Sequence, residues 1–267
     1  MRLLRQAGMG LLMMTPLAWL IRLVRFGHRD AYRRLAEAYY QISPLEPRDT
    51  LPPLTQNRAL IPLLATIPEI ELTALVPHPP TVTLSAQLRL QEGAMPISDL
   101  LPFLSFFAEL KPAEALEIGT FFGTTTAMLA MNSPATLIHT VDLPPDNRGD
   151  TQLAQDDFHL IRQRRLGEAF QLVPGSRIIQ HLGDTATWDF GIASRATFAF
   201  IDGGHTYEYA RNDTEKCLSH CSRPLTIVWH DCDLFHAGVV TWLAEMVAAG
   251  HPVHRIRDTA LAVLMVK

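Results

Sequence analysis

Cysteine is scarce in this chain: Cys217, Cys221 and Cys232 are the only three in 267 residues. So sparse and odd a set excludes a disulfide framework of the secreted kind, and a reducing, cytoplasmic compartment is the expectation. Positive charge is also short. Lys and Arg number 23 against 27 Asp and Glu, a formal net charge of −4, so no general nucleic-acid partner is expected. The apolar N-terminal run Ala7–Ile21 falls short of the roughly 20 residues of a spanning helix, and Pro16 interrupts it. What remains is 48% apolar and 19% charged, the balance of a folded chain able to bury a full core.

Arginine flanks the N-terminal run on both sides, at Arg2 and Arg5 before it and at Arg22, Arg25, Arg29, Arg33 and Arg34 after it. LAWLIRLVR offers no small-residue cleavage site. Three readings of residues 1–42 stand: a helix packed on the body or on a partner chain, a membrane-surface helix with arginines at the headgroups, or an anchor or signal. Association with a second copy of the chain is left open with them. From Ser43 to Thr81 proline is dense, which forbids long helices and central strands. Residues 43–95 therefore read as an extended connector, with a short helix near Asn57–Ala65, lying along the surface of a domain.

From Pro96 onward helix and strand patterns alternate. SDLLPFLSFFAEL, Ser98–Leu110, reads as a helix capped by Ser98 or Asp99. Strands are expected at Ala115–Ile118, Thr136–Asp142, Ser176–His181, Thr197–Ile201, Leu225–Trp229, Val253–Arg257 and Ala262–Val266. Helical windows separate most of them: Thr124–Met131, Asp157–Phe170, Tyr207–Ser219 and Gly238–Ala249. Buried strands alternating with helices predict an α/β fold, a doubly wound, mostly parallel sheet of seven strands ending in an antiparallel hairpin. Such sheets bind ligands at the carboxyl ends of their strands, where the strand order reverses.

Each of the first five strands ends in an acid: Glu117, Asp142, Asp184, Asp202 and the pair His230-Asp231. At the first turn, ALEIGTFFG, glycines at 119 and 123 allow a sharp turn and a close ligand approach. A helix beginning at Thr124 turns its unpaired N–H groups toward that ligand. A carboxylate ahead of the turn suits a ligand with positive charge or hydroxyl and amine donors, not a phosphate. The G-x-G-x-x-G of a nicotinamide enzyme is missing there, and Phe121 and Phe122 stand where a pyrophosphate would lie. Asp142 suits a ribose diol under either cofactor. The balance falls to a nucleoside without phosphates, with an NAD-dependent enzyme, and a non-catalytic cofactor-binding protein, as rivals. Plainer roles exist for these groups: Asp202 and Asp233 as helix or loop caps, His205 as a loop histidine, His230 as a packed side chain. Cys217, His220, Cys221 and Cys232 invite a zinc reading, but their spacing is looser than structural zinc sites show.

The ordered set E-x-G-x-x-x-G, VDL, GD, F-I-D-G-x-H-x-Y and V-x-H-D resembles the class I S-adenosylmethionine-dependent methyltransferases. It is most similar to the branch of macrocin O-methyltransferase and the cephalosporin-hydroxylase-like proteins, and the resemblance runs from about Pro96 to Lys267. It implies methyl transfer to a small hydroxylated acceptor, a sugar or secondary metabolite. Glu117, Gly119 and Gly123 match the first cofactor motif. Thr120 and Phe121 are implied at the methionine end and Thr125 at the helix N-terminus. Asp142 matches the ribose-binding acid, and Asp184 with Thr185 the loop beside the adenine. His205 takes the place of a general base. Asp202, His230 and Asp231 match the positions where metal-dependent members bind Mg²⁺ or another divalent cation, although histidine replaces an acid or amide at 230.

Overall fold

The computed structural model describes residues 60–85, 94–144 and 165–267. The chain divides into units Met1–Pro52 and Pro53–Lys267, and every described residue belongs to the second. The readings of the N-terminal helices, of the connector before residue 60, and of the window Asp157–Phe170 before residue 165 lie outside the described residues. No helix among the described residues is long and apolar enough to cross a membrane.

The expected alternation is present. In chain order the elements are α1 (60–66), β1 (Glu69–Ile70), α2 (Leu72–Leu75), α3 (Ile97–Leu110), β2 (Glu114–Ile118), α4 (Thr124–Asn132) and β3 (Leu137–Asp142). Then follow β4 (Ile178–Leu182), β5 (Phe198–Ile201), α5 (Tyr207–His220), β6 (Leu225–Trp229), α6 (Ala237–Ala248), β7 (His254–Ile256) and β8 (Ala262–Val266). The sheet runs β1-β7-β8-β6-β5-β2-β3-β4. β6, β5, β2, β3 and β4 are mutually parallel, and β8 enters antiparallel between β6 and β7. The seven expected strands are joined by an eighth from the proline-rich stretch, because β1 pairs with β7. Arg255 and Arg257 on that side bond Glu69 and Glu71, and Leu60, Leu64 and Ile67 enter the core.

Period-2 alternation divides the core between the two faces. Leu116, Ile118, Ala199, Ile201, Ile227 and Trp229 face one layer with α5 and α6. Ala115, Phe198, Phe200, Val228 and Val263 face the other, with α3 and α4. On that second face Phe103 packs 4.3 Å from Phe200, and Phe107 meets Phe198 edge-on at 5.0 Å, centroid to centroid. A helical i, i+4 pair thus sits on a strand i, i+2 pair, each contact adding roughly 1 kcal/mol beyond its burial.

The strand order reverses between β2 and β5. The backbone there is drawn tight: Asp202 N–H donates to the Ile118 carbonyl at 2.9 Å, and Gly119 N–H to Val141 at 2.9 Å. Gly119 has φ +98, and a β-carbon on it would lie 2.0 Å from the Asp202 carbonyl oxygen. Gly175 has φ +80 with nothing within 4 Å of such a carbon. Gly175→Ala should therefore cost about 1–2 kcal/mol, the left-handed penalty alone. Gly119→Ala should cost more than about 4 kcal/mol, since backbone must move. Urea midpoints of the two variants check the contrast; equal losses would mean that the β2–β5 contact is looser than described.

Candidate functional site

Five parallel or adjoining strand ends deliver polar groups to one rim. Glu117 lies within the end of β2, Asp142 closes β3, Asp184 follows β4, Asp202 follows β5, and His230 and Asp231 follow β6. The rim has two halves, one around Glu117 and one around His230.

Glu117 is 1% exposed. Its Oε2 accepts from the Thr126 hydroxyl and, at 2.6 Å, from Thr140, whose hydroxyl also bonds Thr120 at 2.7 Å. Oε1 is buried with no hydrogen-bond partner among the described residues. Burial drives the carboxyl up to about 8, against the pull of Thr126 and Thr140, and the charges of Asp202 and Asp142 add to the rise.

Next to it, Asp142 is fixed by two backbone amides, Phe121 N–H to Oδ2 and Leu143 N–H to Oδ1, both 2.7 Å. The first holds Phe121 in a left-handed conformation, φ 50. Gly123 begins α4, also left-handed, with no side-chain cap on the first amides of that helix. Thr120 is turned into the protein against Thr140, whereas Phe121 and Thr125 are half-buried. Asp184 accepts from Tyr209 Oη at 2.9 and 3.0 Å and from the Ala186 amide, and Thr185 beside it is buried. Glu117, Gly119, Asp142 and the α4 N-terminus are thus gathered at one strand-end turn, and Asp184 and Thr185 lie one strand beyond β3.

The second half is a chain of imidazoles and carboxylates. His230 Nε2 is 3.2 Å from Asp99 Oδ2, and its Nδ1 is 3.1 Å from Asp202 Oδ1 and 3.2 Å from Asp231 Oδ1. Asp231 in turn meets His205 Nε2 through Oδ2 at 2.9 Å and His236 Nδ1 through Oδ1 at 3.3 Å. Asp233 accepts from His236 at 2.9 Å. Burial opposes charge on His230, but Asp231 and Asp202 outweigh it and hold the ring well above its ordinary pKa. Burial likewise works to raise Asp231, yet His230, His236 and His205 hold it well below the carboxylate range. Burial pushes Asp202 up, with His230 pulling the other way.

Two of these residues were not foreseen. Asp99, expected at most as a helix cap, caps nothing: Pro96 is the N-cap of α3, and Asp99 is 5% exposed against His230. Its signal was the i, i+4, i+8 stripe Asp99, Phe103, Phe107, which points three side chains at one sheet face. His236 precedes α6 as His205 precedes the start of α5, and the two rings lie 4.6 Å apart. The spacing H-D-x-D-x-x-H, His230 to His236, was its signal.

Two triplets, Asp202–His230–Asp231 and His205–Asp231–His236, each bring ligand atoms within 4.8 Å of one another. The first is the set implied for Mg²⁺, and its chemistry does not fit that ion. Mg²⁺ requires oxygen donors, and both nitrogens of His230 already face carboxylates.

Residues 116–232 match the model of a protein family described as a methyltransferase domain. No curated protein matches the chain. Among solved structures, the chain is similar to the O-methyltransferase TomG of Streptomyces achromogenes in complex with SAM: 18% identity, 80% of this chain and 98% of that one, TM-score 0.42. It is similar also to the SAH-bound methyltransferase PaMTH1 of Podospora anserina, at 13% identity, 84% and 98% coverage and TM-score 0.45. An O-methyltransferase from Bacillus cereus in complex with SAH gives 14%, 86% and 97%, and 0.40.

A carboxyl raised to about 8 binds a proton that the unfolded chain releases near 4.5. Stability of the ligand-free protein should therefore fall as pH rises between those values, by up to about 1.4 kcal/mol per unit from this group. Glu117→Gln should remove that slope and raise the urea midpoint at pH 8. A variant no more stable than the parent at pH 8 would show that Glu117 is not held protonated.

Proposed function

We propose that this protein transfers a methyl group from S-adenosylmethionine to a hydroxyl oxygen of a small acceptor. The observation that carries the reading is the buried Oε1 of Glu117, which has no hydrogen-bond partner among the described residues. A carboxyl group there suits a cationic N–H donor and not a phosphate. Asp142 stands one strand away with a carboxylate able to accept from a ribose diol. The unpaired N–H groups at the start of α4 would face the carboxylate end of an amino-acid moiety. These three features fit S-adenosylmethionine, with Asp184 and Thr185 on the side where its adenine would lie.

When bound, S-adenosylmethionine supplies a methyl group on a sulfonium already activated for displacement. The chain's own task is alignment and proton removal. His205 is placed for the second. Its Nε2–H donates to Asp231 Oδ2 at 2.9 Å, which fixes the tautomer and puts the lone pair on Nδ1. Asp231 stays ionised and stabilises the imidazolium that forms when Nδ1 takes the hydroxyl proton. Mg²⁺ has no part in this scheme, because the donor set at Asp202, His230 and Asp231 does not suit that ion.

Calorimetric titration should give micromolar binding of S-adenosylmethionine, about −8 kcal/mol, weakened at least tenfold in Asp142→Ala, and no binding of NAD. Once an acceptor is found, His205→Ala should lower kcat roughly 100- to 10,000-fold with cofactor affinity unchanged. Binding of NAD in place of S-adenosylmethionine would overturn the reading.

A further inference from the structure

We infer that His230 stands where a divalent metal would otherwise join Asp99, Asp202 and Asp231: Nε2 faces the first and Nδ1 the other two, so these residues do not form a Mg²⁺ site. The inference rests on the proposed function only for its catalytic consequence. Three carboxylates converge on one spot, two of them buried and Asp202 partly so, from α3, from the end of β5 and from the end of β6. Without a positive centre, such a cluster repels itself. Mg²⁺ is one solution, and an imidazolium is another. The contacts fit the second. A neutral imidazole donates through one nitrogen only. Here Nε2 meets the Asp99 carboxylate at 3.2 Å, while Nδ1 lies between Asp202 and Asp231 at 3.1 and 3.2 Å. A ring with N–H groups on both sides satisfies all three acceptors, and in that form neither nitrogen has a lone pair for a metal.

Asp99 is what makes the arrangement complete. It lies four residues before Phe103 on the stripe that packs over Phe198 and Phe200, so the same contacts that seat α3 deliver its carboxylate to the rim. His230 thus holds Asp231 in place, and Asp231 orients His205. Neither Asp99 nor His230 touches the reacting atoms in this scheme. Both are positioning residues.

The test is made on the full-length protein in two parts. First, nitrogen-15 NMR of histidine-labelled protein at pH 7.5, assigned by loss of the signal in His230→Asn, should show both ring nitrogens of His230 protonated. A neutral ring overturns the inference. Secondly, the wild-type protein titrated with Mg²⁺ should bind none, whereas folded His230→Asn, with an oxygen donor between two acids, should bind it. Wild-type binding of Mg²⁺ that His230→Asn abolishes overturns the inference. A folded His230→Asn that ignores Mg²⁺ also counts against it, because the carboxylates would then not surround a cation-sized gap. None of these readouts uses a methyl donor or acceptor, so they stand or fail apart from the methyl-transfer reading.

Discussion

One carboxylate buried under a turn governs this site. Glu117 sits in a central parallel strand where solvent does not reach, with one oxygen bonded to two threonines and the other without a partner among the described residues. Leaving such an atom without a partner costs about 1–3 kcal/mol, which the hydrogen bonds around the turn help to offset. Val141 and Asp202 hold the backbone on both sides of the turn, and Asp142 clamps the Phe121 amide. On the proposed reading, these hydrogen bonds hold the turn in shape for a cationic ligand.

The second half of the site follows from ordinary core packing. Phe103 and Phe107 on α3 meet Phe200 and Phe198 on β5. Extending each pattern by one repeat, four residues back along the helix and two forward along the strand, gives Asp99 and Asp202. Both reach His230. On the opposite face, α5 and α6 start side by side, so close that a β-carbon on Gly238 would lie 2.3 Å from the Tyr207 amide nitrogen. Their leading residues, His205 and His236, are therefore forced together over Asp231. Hydrophobic registry thus positions the ionisable groups, and the electrostatic network then sets their protonation.

Much of this was legible in the sequence. The buried strands and the acids at their ends are local patterns, and strand ends in a parallel sheet share a rim whatever the loops do. Leu225–Trp229 and Ala262–Val266 match their observed strands residue for residue. Strand β1 was not legible, because two residues carry no period and its pairing with β7 spans most of the chain. Asp99 was misjudged for a related reason. An acid in the first turn of a helix reads as a cap or dipole partner, and only the tertiary packing of α3 turns it inward. The unpartnered oxygen of Glu117 is a property of three dimensions alone.

On the proposed reading, Glu117 is held protonated until a positively charged cofactor binds. Calorimetry of S-adenosylmethionine binding at pH 6.5, repeated in buffers of different ionisation enthalpy, measures the protons exchanged. The account predicts release of close to one proton in the wild-type protein, as the ammonium draws the Glu117 carboxyl down from about 8. It predicts none in Glu117→Gln. Tight binding with no proton release, or release unchanged in Glu117→Gln, would contradict it.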